Sequence, residues 1–237
     1  MISSVDLYGD GIGRVEFVEA MGTDLTVVNS ARVSFGRHKE ILEKSDEKLI
    51  NYLIKHKHTS TLEHNIVTFR FCVPIFVRSQ HHRHRTWSYN EISRRYTDVD
   101  IRFYEPVKFR TQHKSNRQAS NLNELIDPLV SYPRNNYAAL AASDAVKEHG
   151  KISLTLYERL VKAGVCREQA RGVLPQNMYT EYYGTVNLNN LLKFIDLRTH
   201  EGAQWEIQQV AKACEEITSH LYPLTLMAYN KVKNENQ

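Results

Sequence analysis

The chain has 237 residues, 41% of them hydrophobic and 24% charged, and a formal net charge of +4. That length can bury a substantial core, and that balance excludes a polycation whose whole surface serves nucleic acid. No apolar run reaches the roughly 20 residues of a spanning helix, and no basic flank with an apolar stretch opens the chain, so the expectation is a cytoplasmic protein with no membrane association.

Gly9, Gly11 and Gly13 precede Arg14–Ala20, whose alternation predicts a strand. A dinucleotide loop needs a helix after its glycines, so a turn between two strands accounts for them better. Ser45-Asp46-Glu47 reads as the cap and acidic first turn of a helix carrying Leu49, Ile50, Leu53 and Ile54 on one face. The β-branched and aromatic run His64–Phe71 predicts a strand, and Pro74 suits the first position of a helix through Ile75, Phe76 and Val77. Lys108–Asn136 is polar and holds two prolines, which predicts a long excursion or mobile loop.

Helical pattern resumes at Tyr137 and stops at Gly164. A short helix over Arg167–Val173 ends before Pro175, Met178–Val186 reads as a strand, and a helix starts at Leu191. A last helix begins near Ala203, with Ile207, Val210, Cys214, Ile217 and Leu221 as its buried stripe. Strands and helices interleave without a regular β-α-β rhythm. The expected class is α+β: one domain over residues 1–237, with a mixed, largely antiparallel sheet flanked by helices.

The densest chemistry lies between Arg78 and Tyr96, where five arginines and three histidines face one carboxylate, Glu91. So much positive charge repels itself unless anions are near, and guanidinium forks suit phosphates and the edges of heterocycles. Trp87, Tyr89, Ile92 and Tyr96 are threaded among the charges, which predicts a wall for flat ligands rather than a solvated face. His56, His58 and His64 with His81, His82 and His84 could ligate a metal, but the arginines among them would repel a dication, and no metal is expected. Ser88 and Ser93 lack the Gly-x-Ser-x-Gly setting of a nucleophile. Cys72, Cys166 and Cys214 are far apart, without a Cys-x-x-Cys pair, which suits a reducing compartment. Arg167 and Arg171 share a helix face with Glu168 available to pair locally, and the asparagines of Thr185–Asn189 suit a helix cap.

Arg83-His84-Arg85 followed after seven residues by Ser93 resembles the signature of the flavin-dependent thymidylate synthases. Similar segments follow that family's order: His58–His64, Arg167–Pro175, Thr185–Asn187 through Trp205-Glu206, and Ala31–Phe35. The resemblance implies reductive methylation of dUMP to dTMP, with methylenetetrahydrofolate as carbon donor and NADPH as reductant through FAD. It implies FAD contacts from Ser60, Arg83, His84, Arg85, Glu91 and Asn187, and places Asn189 and Lys193 on the flavin side in positions where the family carries other residues. Gly202 likewise departs from the family, as do His81 and His82, which stand where an apolar or aromatic residue is frequent. For dUMP it implies Gln80 and Arg83 from one side, and Glu91, Ile92, Ser93, Arg94 and Arg95 around the phosphate from another subunit of a homotetramer. Arg171 would add a cation, and Arg198 would face the uracil ring as the catalytic residue. The rival readings are an RNA- or single-strand-binding module using Arg83–Tyr96, and a metal-dependent nucleotide hydrolase using the histidines.

Overall fold

The computed structural model describes residues 3–132 and 139–235. Its centre is a nine-residue antiparallel pairing between β3 (Ile66–Pro74) and β9 (Tyr179–Asn187), with Ile66 opposite Asn187 and Pro74 opposite Tyr179. Valines and aromatics favour this pleated, two-sided burial. Val67, Phe69, Phe71 and Val73 are buried on β3, and Tyr182 and Val186 on β9. β2 (Arg14–Met21) adds to one side of β3, with β1 (Ser4–Asp6) outside it, and β4 (Ser88–Glu91) pairs with the far side of β9. Every strand pairing among the described residues is antiparallel, so the mixed character expected of the sheet is not found. Gly184 is required at its position. A Cβ there would lie 2.8 Å from the Phe71 ring and 3.2 Å from that of Trp87, too close for either.

Helices α6 (Leu188–Thr199) and α7 (Trp205–Leu221) close over the sheet, burying Leu188, Leu191, Leu192, Phe194 and Ile195 from one, and Ile207, Val210, Cys214 and Ile217 from the other. The Asn187 side chain accepts from the Asn190 amide at 2.9 Å, capping α6 directly at the end of β9. The helix therefore starts at Leu188 rather than Leu191, because this cap lies earlier than the apolar pattern. Cys72 and Cys214 are core residues, and burial pushes the Cys72 thiol up to about 11. Cys166 is exposed.

Helices α1 (Asp24–Arg32), α2 (Lys44–Lys55) and α8 (Pro223–Glu235) form the remaining shell. The apolar residues of α8 cluster in its first half, Leu224 to Tyr229, so no helical stripe runs along it in the sequence. What fixes it is Asp24, a buried carboxylate that accepts from the Leu224 and Thr225 amides at 2.9 and 3.0 Å and from the Thr225 hydroxyl at 2.6 Å. α2 is capped by Glu43, not Ser45, with Asp46 reaching back to the Glu43 amide at 2.8 Å.

The glycines at 9 and 11 occupy the left-handed region in the turn between β1 and β2, as their spacing predicts. Pro74 closes β3 and caps α3 (Ile75–His81). α4 (Ala142–Lys162) ends before Gly164, whose φ is +92°. Tyr137, where helical pattern was expected to resume, lies outside the described residues. The short α5 (Arg167–Ala170) runs into a 3₁₀ turn over Arg171–Val173. The excursion after Lys108 bears regular structure in its described part. β5 (Phe109–Gln112) pairs with β6 (Ser120–Ile126), and β7 (Leu129–Ser131) pairs with β8 (Ala139–Ala141). No helix among the described residues is long and apolar enough to cross a membrane.

Asp46 supplies a direct stability test. It is wholly buried and meets Arg32 at 2.5 Å and Lys39 at 3.3 Å. Burial alone would raise its pKa, but the Glu43 amide and the two cations outweigh burial and hold the carboxyl below its ordinary value. Its contribution is therefore present above the unfolded pKa and lost as pH falls through the lower folded value. Asp46→Ala should destabilise the fold at pH 7 by about 3 kcal/mol, the lower end for a broken buried pair because both cations keep some solvent. Urea unfolding of the two proteins measures it.

Candidate functional site

The expected site residues fall into three groups, one at each end of α6 and one around and after β4. The first lies where β9 becomes α6. A cavity of about 540 Å³ is lined by Asn189 and Lys193 from α6, His58 and Thr59 from the turn before β3, and the apolar side chains of Leu53, Leu62, Leu192 and Tyr229. Ser60 is exposed in the 3₁₀ turn Thr59–Leu62. Asn189 is buried and donates to Glu63 at 3.0 Å, while Lys193 is exposed. An apolar floor with cations at the rim suits a flat ring bearing an anionic tail.

The second group gathers around Arg198. This residue stands in the last turn of α6, which runs to Thr199. Its Nε donates to His84 Nε2 at 3.0 Å and its Nη2 to the Gln80 carbonyl at 3.3 Å. α3 ends at His81, so Gln80 and His84 bracket its C-terminus and meet α6 there. A guanidinium can only donate, so His84 accepts through Nε2 and holds its proton on Nδ1. Burial first, and the Arg198 charge second, lower His84 to about 4. The side chain of Gln80 donates to the Gln204 carbonyl oxygen, and Gln204 donates to Glu206 at 2.8 Å. Glu206, buried at the start of α7, also meets Arg110 of β5 at 2.6 Å and the Tyr104 hydroxyl at 3.3 Å.

The third group follows β4. Glu91 accepts from the Thr180 hydroxyl at 2.7 Å and pairs with Arg78 at 3.2 Å. It lies on a cavity of about 520 Å³ shared with Arg70, Ile92 and Glu181. Ser93 accepts from the Arg95 amide at 3.3 Å. Glu168 joins two cations: its carboxylate meets Arg95 at 3.3 Å and its carbonyl accepts from Arg171 at 3.3 Å. The local pairing expected within α5 is thus replaced by pairing across to the β4 loop, and Arg167 reaches Asp98 at 3.2 Å. Arg94 differs from its neighbours. Its guanidinium is buried and donates to the Val99 carbonyl at 2.7 Å, so it ties the loop together. Arg83 and Arg85 remain exposed in the loop leading into β4.

One expectation about the aromatic wall is corrected. Trp87 is 5% exposed and packs against Phe69, Phe71 and Phe194, so it belongs to the core rather than to a ligand wall. Ile92, just past the edge strand β4, is by contrast 37% exposed. His81 is equally unlike its charged neighbours. Its ring sits wholly buried among Phe71, Trp87, Tyr89 and Phe194, with Nδ1 at 2.8 Å from the Tyr182 hydroxyl. Burial, helped by His84, His82 and Arg198, drives its pKa well down, so it behaves as an aromatic core residue. No cluster of three or more His, Cys, Asp or Glu among the described residues could hold a metal ion. The sequence reading had no place for Gln204, Glu206 and Arg110 as a connected set. Gln204 immediately before an amphipathic helix was the available signal.

The arrangement yields a titration test. Because His84 is depressed to about 4, the unfolded chain binds its proton near pH 6.5 while the folded chain does not. Stability from this group is complete above pH 6.5 and declines as pH falls toward 4. The imidazole resonance of His84 should titrate near pH 4, and Arg198→Ala should move that midpoint upward, leaving the burial part in place.

The sequence model of the family described as "Thymidylate synthase complementing protein" matches residues 16–224. The chain is 42% identical over 219 residues to the flavin-dependent thymidylate synthase of Thermus thermophilus, covering 92% of this chain and 76% of the relative. It is 39% identical to that of Thermotoga neapolitana, covering 92% and 91%. Among solved structures it is similar to the UMP/dUMP methylase PolB of Streptomyces cacaoi bound with 5-Br dUMP. That match has a TM-score of 0.76 and 32% identity, and covers 96% of this chain and 97% of the other.

Proposed function

The chain belongs to the thymidylate synthase complementing protein family, and on that premise we propose that it is a flavin-dependent thymidylate synthase, methylating dUMP to dTMP as one catalytic domain. The observation that carries the reading is the convergence of Arg198, His84 and Gln80 within a chain that keeps the Arg83–Ser93 signature. FAD is the proposed cofactor, with methylenetetrahydrofolate and NADPH as co-substrates. The residues present fit a flavin dinucleotide. The 540 Å³ cavity offers an apolar floor for one ring end and Lys193 as a cation for its phosphates, and Arg83 and Arg85, exposed in the loop before β4, are the further cations proposed for them. Asn189 lines the same cavity as a polar partner, and Ser60, Asn187, His84 and Glu91 are the further contacts proposed for the cofactor. Bound FAD would supply the reducing equivalents for the methyl group delivered from folate.

The chain's own residues then have three tasks. Arg95, Arg171 and Ser93 hold the dUMP phosphate, with Glu91 and Ile92 shaping the approach, while Arg94 acts from within the fold by fixing the loop. Arg83 and Gln80 meet the nucleotide from the other side. Arg198 stabilises negative charge developing on the N3–O4 edge of uracil, so that C5 becomes nucleophilic without a cysteine adding at C6. Its Nε and Nη2 are occupied by His84 and Gln80, which aim the fork and leave Nη1 for the ligand. By the family resemblance the assembly proposed is a homotetramer with sites shared between subunits. We assign the protein to the cytoplasm and give it no polynucleotide partner. The RNA-binding alternative is weakened because Trp87 is in the core and Arg94 and Arg78 are engaged internally.

The purified protein should show the visible absorption of bound flavin and convert dUMP to dTMP. Arg198→Ala should lower turnover about a hundred- to a thousandfold at saturating dUMP while the flavin spectrum persists. A colourless protein that does not quench FAD fluorescence, or near-parental turnover by the variant, would overturn the assignment.

Sharing of sites is tested separately. Arg83→Ala and Arg95→Ala proteins should each be weak, and mixing them should restore part of the activity through hybrid sites. Light scattering that gives an active monomer would defeat it.

A further inference from the structure

We infer that Glu206 sets the hydrogen-bond polarity of Gln80, so that Gln80 meets the nucleotide as an acceptor; the inference rests on the dUMP reading above. The chain of contacts runs from β5 to the site. Glu206 Oε1 takes the donors of Arg110 and Tyr104, and Oε2 takes Gln204 Nε2 at 2.8 Å. A carboxylate held by an arginine only accepts, so the Gln204 amide must turn its NH₂ toward Glu206. Its carbonyl oxygen is then left facing Gln80, which must answer with Nε2, as it does. A neutral amide can be reversed at little cost when both neighbours are ambivalent, but here the charged end forbids reversal along the whole chain.

The consequence falls on the other end of the Gln80 side chain. With Nε2 committed to Gln204, its carbonyl oxygen has no hydrogen-bond partner among the described residues. The Gln80 backbone is held as well, by Arg198 Nη2 at 3.3 Å. Gln80 is thus fixed at both main chain and side chain, and offers an acceptor beside a cation that can only donate. A pyrimidine nucleotide can answer with its ring imide N–H or with a sugar hydroxyl. Gln204 and Glu206 are positioning residues here, acting on the ligand through Gln80, and Arg110 brings the β5–β6 hairpin into the same arrangement.

The test is calorimetric titration of dUMP into flavin-loaded protein, with steady-state turnover alongside. Gln204→Met cuts the relay but leaves the Glu206–Arg110 pair intact. The dUMP Kd and KM should rise about tenfold, with kcat within about twofold and the flavin spectrum unchanged, because the lost interaction is made equally before and during reaction. Glu206→Gln lets the relay reverse and should weaken dUMP in the same sense; if stranding Arg110 prevents its folding, Gln204→Met alone decides. Two analogues identify the donor, one methylated at N3 and one lacking the 3′-hydroxyl. The Gln204→Met penalty should shrink to within about twofold on whichever lacks the group Gln80 accepts, and an equal penalty on both would overturn the acceptor assignment. A parent that binds dUMP while Gln204→Met keeps its Kd and KM within twofold would overturn the relay alone. A parent that binds no dUMP would overturn the proposed function and the relay with it.

Discussion

Nine consecutive residue pairs between β3 and β9 join segments more than a hundred residues apart, and the placement of each site residue descends from that register. Pro74 at one end of β3 launches α3 and so delivers Gln80 and His84; Asn187 at the opposite end of β9 launches α6 and so delivers Asn189, Lys193 and Arg198. Because a strand's side chains alternate, a slip of one residue would turn Tyr182 and Val186 outward and bring a side chain against Phe71 where only Gly184 fits. Packing and site geometry are therefore specified by the same contact. The register has no neighbouring alternative that keeps a core.

Electrostatics in the basic segment follow from that frame. Positive charge is not spread over a face but sorted by depth. Arg94 and His81 are drawn into the protein, the first holding a carbonyl and the second kept neutral by burial. Arg83, Arg85 and Arg95 stay accessible. Arg198 lies between, half-buried, with burial lowering its pKa from the ordinary value without threatening its charge. A cation at that depth has lost much of its screening by water, so its field on a bound ring is stronger than a surface arginine could exert.

Much of this was visible in the residues. β3 announces itself through Val67, Phe69 and Phe71, α7 through its three- and four-residue stripe, and α4's end through Gly164. The signature at Arg83–Ser93 pointed to the family whose sequence model matches residues 16–224. What stayed hidden has physical causes. Five arginines of one type carry no mark of which will be buried, so Arg94 and Arg95 read alike until the loop after β4 is folded. Trp87 reads as a ligand wall because its burial comes from Phe69, Phe71 and Phe194, which are distant in sequence. α8 is held by a cap from Asp24, about two hundred residues away, and no local pattern records such a bond. The amide relay is likewise non-local, drawing Arg110, Gln80 and Gln204 from three elements.

The bond between Asp24 and the first turn of α8 also orders events during synthesis. Asp24 is made early, yet the amides that satisfy its buried carboxylate belong to Leu224 and Thr225. β3 waits similarly for β9. While the ribosome is still adding residues, β3 can pair with β2 on one side, but its other edge has no partner and the Asp24 carboxylate has nowhere dry to go. Closure of the core therefore falls after β9 and α8 have both been made. A fold in which Asp24 is satisfied only by α8 cannot close until α8 has been made.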